Sequence, residues 1–247
     1  MSFESFLIVF VAIGLGAFAK GATGIGLPLI GIPIMAGFLG VEHAIVVMTI
    51  PVAASNIWLV WSYRKLVTAI PGLPFMLVMG VIGTLLGTYV LATLDDRTLI
   101  YMLAIWIGLY LVNLTFNPNF RLEGKTARYA SPILATCAGI SQGATGMSGP
   151  VIATWIHSYN LESKTFVFGV SIMFLAISGT HVLAVSGAGL MSEARLYEGL
   201  LALIPTALFL PLGMRMTNLF STKIFNRIII CLIVIMEIKL IWRDILS

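Results

Sequence analysis

The chain has 247 residues, of which 59% are hydrophobic and 10% charged, with a mean hydropathy of +1.04. Soluble domains carry roughly 25% charged residues, so a water-soluble globule is excluded: its core could not hide this much apolar surface, whereas lipid can. The net charge of +4 comes from cations standing singly at the ends of apolar runs, which excludes a nucleic-acid-binding stripe and is the placement that orients membrane helices.

At about 20 residues per span, the length permits roughly six to eight crossings. The first apolar run covers residues 3–39 and is interrupted at Lys20-Gly21-Ala22-Thr23-Gly24. Within it, residues 6–18 and the following Ala17-Phe18-Ala19 imitate a secretory leader. Glu4, however, stands where a leader wants Lys or Arg, so the stretch is expected to be structure. Further runs cover 43–63, 71–94 and 98–116, ending at Arg64-Lys65, at Asp95-Asp96-Arg97 and in a polar loop at 117–128. A fifth run, 130–159, is interrupted at Ser141-Gln142-Gly143-Ala144-Thr145-Gly146, and three more cover 165–185, 194–216 and 223–242. None alternates as a strand does, and only helices or closed barrels satisfy the backbone in lipid, so all are predicted helical. The two cysteines, Cys137 and Cys231, lie in apolar runs without metal-ligand spacing and are expected as buried thiols.

The pattern restarts after the polar loop. Lys20-Gly21-Ala22-Thr23-Gly24-Ile25-Gly26-Leu27-Pro28 aligns with Gln142-Gly143-Ala144-Thr145-Gly146-Met147-Ser148-Gly149-Pro150 at an offset of 122 (143 minus 21). Leu86-Gly87 and Leu212-Gly213 form a weaker echo. Both copies of GATG interrupt the first run of their half. The expectation is an all-α polytopic membrane protein with two duplicated transmembrane repeats, 1–116 and 130–247, joined by a loop at 117–129.

Each interruption separates apolar pieces of roughly 12 to 16 residues, or about 20 Å, short of the roughly 30 Å hydrocarbon core. The segment is therefore a re-entrant hairpin or one tilted, unwound helix. Of the 13 loop cations, eight against five fall on one side if all runs cross, and nine against four if both broken segments are re-entrant. The second count fits the positive-inside rule better and places both termini outside. Three crossings then follow each broken segment, and the odd number makes the repeats inverted, as in many secondary transporters.

Irregular backbone at membrane depth survives only beside protein or a polar cavity, and paired glycine-rich interruptions point to a transport site. The amides of Ala22, Thr23, Gly24, Ala144, Thr145 and Gly146, the two threonine hydroxyls and Ser148 are expected to donate to an anion. Gly21 and Gly143 would permit close approach, and a helix starting after each break adds a positive dipole end. Lys20 supplies full charge in the first copy and Gln142 a neutral donor in the second. The competing reading makes both GATG segments small-residue packing motifs. A phosphate-binding P-loop is a weaker reading, because GK[ST] is absent and no soluble nucleotide domain surrounds the motif.

With GATGIGLP and GATGMSGP, and later LLG and PLG segments near Asp95-Asp96-Arg97 and Lys223, essentially the whole chain resembles the TauE/SafE family. The resemblance implies a duplicated membrane module that exports sulfite or organosulfonates. Replacement of Lys20 by Gln142 in the second copy leaves one formal charge from this pair, which suits a small monoanion.

Among other polar groups, His181 is a candidate for a coupling proton or a neutral histidine bonded between helices. Asn56 either lines a cavity or joins helices. Glu237 and Lys239 are expected to snorkel. His157, with Trp155 and Tyr159, is expected in an interfacial belt, as are Trp58, Trp61, Tyr63 and Trp242. The spans carry no paired carboxylates, metal-ligand set or Ser/His/Asp pattern, which speaks against an enzyme, and no cofactor motif is present. The expectation is a multi-pass protein of the cell membrane, exporting a small anion by alternating access around the two breaks and coupled to an ion or proton. A homo-oligomer is compatible with the composition. An anion channel with the breaks as its filter is the alternative.

Overall fold

The computed structural model describes residues 3–24, 26–64, 72–116, 124–149, 151–152, 163–216, 234–235, 238–239 and 242. In chain order the helices are α1 (Phe3–Thr23), α2 (Leu27–Leu39), α3 (Val41–Tyr63), α4 (Leu73–Thr93), α5 (Asp96–Phe116), α6 (Gly124–Thr145), α7 (Ser163–Gly187), α8 (Glu193–Leu201) and α9 (Leu203–Met216). Among the described residues, five stretches are long and apolar enough to cross a membrane: Phe3–Ala22, Val41–Ser62, Leu73–Thr93, Val167–Gly187 and Glu193–Met216, the last running through α8 and α9. The protein is thus a multi-pass helical membrane protein.

Side-chain placement fits a lipid solvent. On α1 Leu7, Val11 and Leu15 form an outward stripe at four-residue spacing, and on α9 Ile204, Leu208 and Leu212 do the same, each close to half exposed. On α4 the outward stripe is Val78, Ile82, Leu85 and Tyr89, while Gly80, Gly83, Thr84, Gly87 and Thr88 face inward. Large apolar residues outside and small or polar ones inside are what helices in lipid need, since close backbone approach is their main source of attraction. Cys137 is exposed on α6, against the expectation of a buried thiol. The physical reason is that a residue in an apolar run can satisfy its hydrophobicity in lipid as well as in protein.

The chain forms two compact units, one from Met1–Pro51, Leu94–Phe116 and Met191–Ser247, the other from Val52–Thr93 and Asn117–Leu190. In the first, α1 packs on α2 and α9. A Cβ on Gly21 would strike the Leu210 carbonyl oxygen, and one on Gly213 the Phe18 carbonyl oxygen. At one end of this unit the start of α3 is held from two sides. The amides of Val41 and Glu42 donate to Asp96 Oδ1 at 3.2 and 3.3 Å, and Arg195 pairs with Glu42 at 2.7 Å. Lys239, expected to snorkel, sets its ammonium 3.0 Å from the centre of the Phe38 ring.

In the second unit α4 packs on α6 and α7. A Cβ on Gly87 would strike the Ile140 carbonyl oxygen, and one on Gly143 that of Thr84. The hydroxyls of Thr84 and Thr88 turn back to the carbonyls of Gly80 and Thr84, both at 2.8 Å, so they are satisfied without separating the helices. Glycine at these positions is a requirement of backbone-to-backbone contact, the packing role the sequence offered as an alternative for GATG.

Candidate functional site: two glycine-broken helices

The structure moves both breaks a few residues downstream of their expected place. Lys20-Gly21-Ala22-Thr23 completes α1, and Gln142-Gly143-Ala144-Thr145 completes α6. Gly21 and Gly143 sit in helices because their missing Cβ admits a neighbouring backbone. The amides of Ala22, Thr23, Ala144 and Thr145 consequently belong to final helical turns, where the carbonyls, not the amides, are left over. The expectation that these four amides are freed is corrected accordingly.

The chain turns at Gly24 and Gly146, with φ of 81° and 71°, a left-handed conformation that glycine adopts without a Cβ penalty. Gly24 N–H donates to the Lys20 carbonyl at 2.7 Å and Gly146 N–H to the Gln142 carbonyl at 2.8 Å. Past each turn, Ile30 N–H donates to the Gly26 carbonyl at 3.0 Å and Ile152 N–H to that of Ser148 at 3.1 Å. Both pairs are separated by the same 122 residues as the GATG copies (146 minus 24, 152 minus 30).

In the first unit the chain reverses. Gly26, with φ of 151° and in the N-cap position of α2, lies against Ala19 and Lys20; Leu27 lies against Gly16, and Gly31 near Ala12 and Ile13. Such falling and rising pairs mark an antiparallel helical hairpin rather than one tilted, unwound helix, and the 21-residue α1 is longer than the pieces of 12 to 16 residues expected. Its arms are unequal. At 1.5 Å per residue, the 21 residues of α1 reach about 30 Å and the 13 of α2 about 20 Å. Residues 27–37 of α2 are buried, and a proline opens the helix where a free amide would otherwise stand. The hairpin tip therefore combines the carbonyl end of α1, the amide end of α2 and Lys20, which is 2% exposed.

In the second unit the break is tied by side chains. Ser148 Oγ donates to Gln142 Oε1 at 2.8 Å, Thr145 Oγ1 donates to the Ser141 carbonyl at 2.8 Å and accepts from Met147 N–H at 3.4 Å, and Ser141 Oγ donates to the Met147 carbonyl. Gln142, Thr145 and Ser148 are all at most 5% exposed. His181 on α7 is fully buried, and its ring lies beside the Gly143 backbone. Asn56, also buried, donates to the Val52 carbonyl of its own helix at 2.9 Å. Thus Gln142, Ser148, Gly143 and His181 are gathered in one unit, and Lys20, Gly24 and Gly26 in the other. Pro150, Cys231, Lys223, Glu237 and the group His157, Trp155 and Tyr159 lie outside the described residues.

Two groups escaped the sequence reading. His43 Nε2 stands 2.6 Å from Glu198 Oε2, and the glutamate is 5% exposed. Glu198 is a carboxylate inside an apolar run, which is itself a functional signal; its partner 155 residues away was invisible. Ser178, one turn before His181, carries no mark in the sequence at all.

No curated protein and no solved structure matches the chain. The family model for sulfite exporter TauE/SafE matches residues 8–240, nearly the full length over which the helices and both breaks extend, and the chain belongs to that family.

Proposed function

We propose that the protein is a secondary active transporter that exports a small anion, sulfite or an organosulfonate, across the cell membrane. The supporting observation is that two helix breaks, 122 residues apart, share one backbone hydrogen-bonding pattern in a chain of a sulfite exporter family. Discontinuous helices with exposed dipole ends are how many carriers hold ions and anions at membrane depth. On this reading the two sequence halves are inverted repeats. The amide end of α2 and Lys20 attract the anion at the first break, and Gln142, Thr145 and Ser148 provide neutral dipoles at the second. Ala22 and Thr23 belong to the first set, Ala144 and Asn56 to the second, and His181 carries a coupling proton.

Flux of radiolabelled sulfite, a sulfonate and acetate into proteoliposomes tests this. A carrier gives saturable flux for the sulfur oxyanions, weakened in Lys20→Gln with the fold intact. Rapid flux that does not saturate would replace the carrier by a channel, and no flux of either sulfur anion would sink the assignment.

A further inference from the structure

Near the second break, polar side chains are already committed. Thr84, Thr88, Ser141 and Thr145 donate to backbone carbonyls, and Ser148 to Gln142. Among the described residues, the buried side-chain nitrogen and oxygen atoms without a hydrogen-bond partner are Ser178 Oγ and both ring nitrogens of His181. Both residues are 0% exposed. They lie three apart on α7, hence on one face of that helix, with Cβ atoms about 5–6 Å apart. One ring nitrogen has the Gly143 backbone beside it, which leaves the serine hydroxyl and the other nitrogen; natural interiors rarely leave such atoms unpaired, and two at one place call for an occupant.

We propose that Ser178 and His181 form the polar wall of an internal binding position in the second unit, which receives two oxygens of a small oxyanion. The serine O–H and one imidazole N–H each donate, and the spacing suits two oxygens of one pyramidal or tetrahedral group. α4 carries no charged side chain, and from α6 the Gly143 backbone lies beside the His181 ring. The anion is therefore held by the serine hydroxyl and the imidazole N–H, with positive charge there only while His181 carries the coupling proton. A lone cation would find no carboxylate on α4, α6 or α7. This inference rests on the export reading and names the groups that touch the cargo.

The test uses the full chain in proteoliposomes with sulfite as the probe. Ser178→Ala is expected to raise the half-saturation concentration about tenfold, the size of one lost hydrogen bond to a charged group. Its melting temperature without sulfite should stay equal or rise, because an unpaired buried hydroxyl has gone. His181→Leu should weaken binding similarly, and His181→Gln, which keeps a donor, should recover part of it. Unchanged half-saturation in Ser178→Ala, with wild-type flux intact, would show that only water fills the position and overturn the inference alone. Absence of wild-type flux would remove the export reading and this inference with it. Should His181→Leu fail to fold, Ser178→Ala decides.

Discussion

Gly24 holds φ at 81°, and a Cβ built there meets nothing within 4 Å. Substitution therefore costs only backbone conformation, about 1–2 kcal/mol in the left-handed region. Gly24→Ala should lower the unfolding free energy in detergent by that amount, and Gly24→Asn by less, because asparagine tolerates this conformation. An equal loss in both would show that something besides φ is at stake. Asp95 is a different kind of terminus. Its carboxylate accepts from Thr98 Oγ1 at 2.6 Å and Thr98 N–H at 3.2 Å, and these bonds hold it below the usual carboxylate range. A depressed folded-state value means the cap's contribution is present above the unfolded carboxylate range and is lost as pH falls through the folded one. Thermal melts of wild type and Asp95→Asn should thus differ at neutral pH and converge in acid. At this scale the glycines were legible as candidates, but which glycine turns the chain and which admits a neighbour was not. Gly21 and Gly24 look alike in sequence, and only the position of Leu210 separates them.

Between elements, α4 and α6 are joined through glycine. Gly143→Val would force a branched side chain into the Thr84 carbonyl, so a loss of about 3 kcal/mol is expected, the upper part of the overpacking range. Circular dichroism melts would reveal it, and a neutral outcome would deny the close contact. The His43–Glu198 pair ties α3 to α8 at 2.6 Å. Glu198→Leu removes one partner of a part-buried hydrogen bond, and a loss of about 1–3 kcal/mol is expected. The double replacement with His43→Leu should recover part of the loss, since two apolar groups leave no orphaned polar group. A double variant as unstable as the sum of the singles would argue that the residues act independently. Helix positions were readable because apolar length and flanking charges report them directly. Break positions were displaced because glycine was taken as a helix breaker, whereas in a close-packed pair it is a helix joiner.

For the molecule as a whole, the inverted-repeat proposal has a direct consequence: with an odd number of crossings in each half, tags at both termini lie on the outer face. Protection of either tag from an impermeant reagent in intact cells would refute that topology. The two compact units each draw on both sequence halves, an exchange that no reading of a linear repeat could anticipate. Readable from the chain alone were the solvent, the helical class, the family and two matched glycine-rich interruptions. These follow from composition, run length and spacing, which are properties of the chain as written. Contacts between distant segments were needed to show that the first broken segment is a hairpin turning at Gly24, that Gly21 and Gly143 serve packing, and that His43 meets Glu198. The burial of Ser178 and His181 is likewise evident only in the folded chain. Each of these depends on which backbone approaches which residue, and close approach between distant segments leaves no periodic signature in the chain.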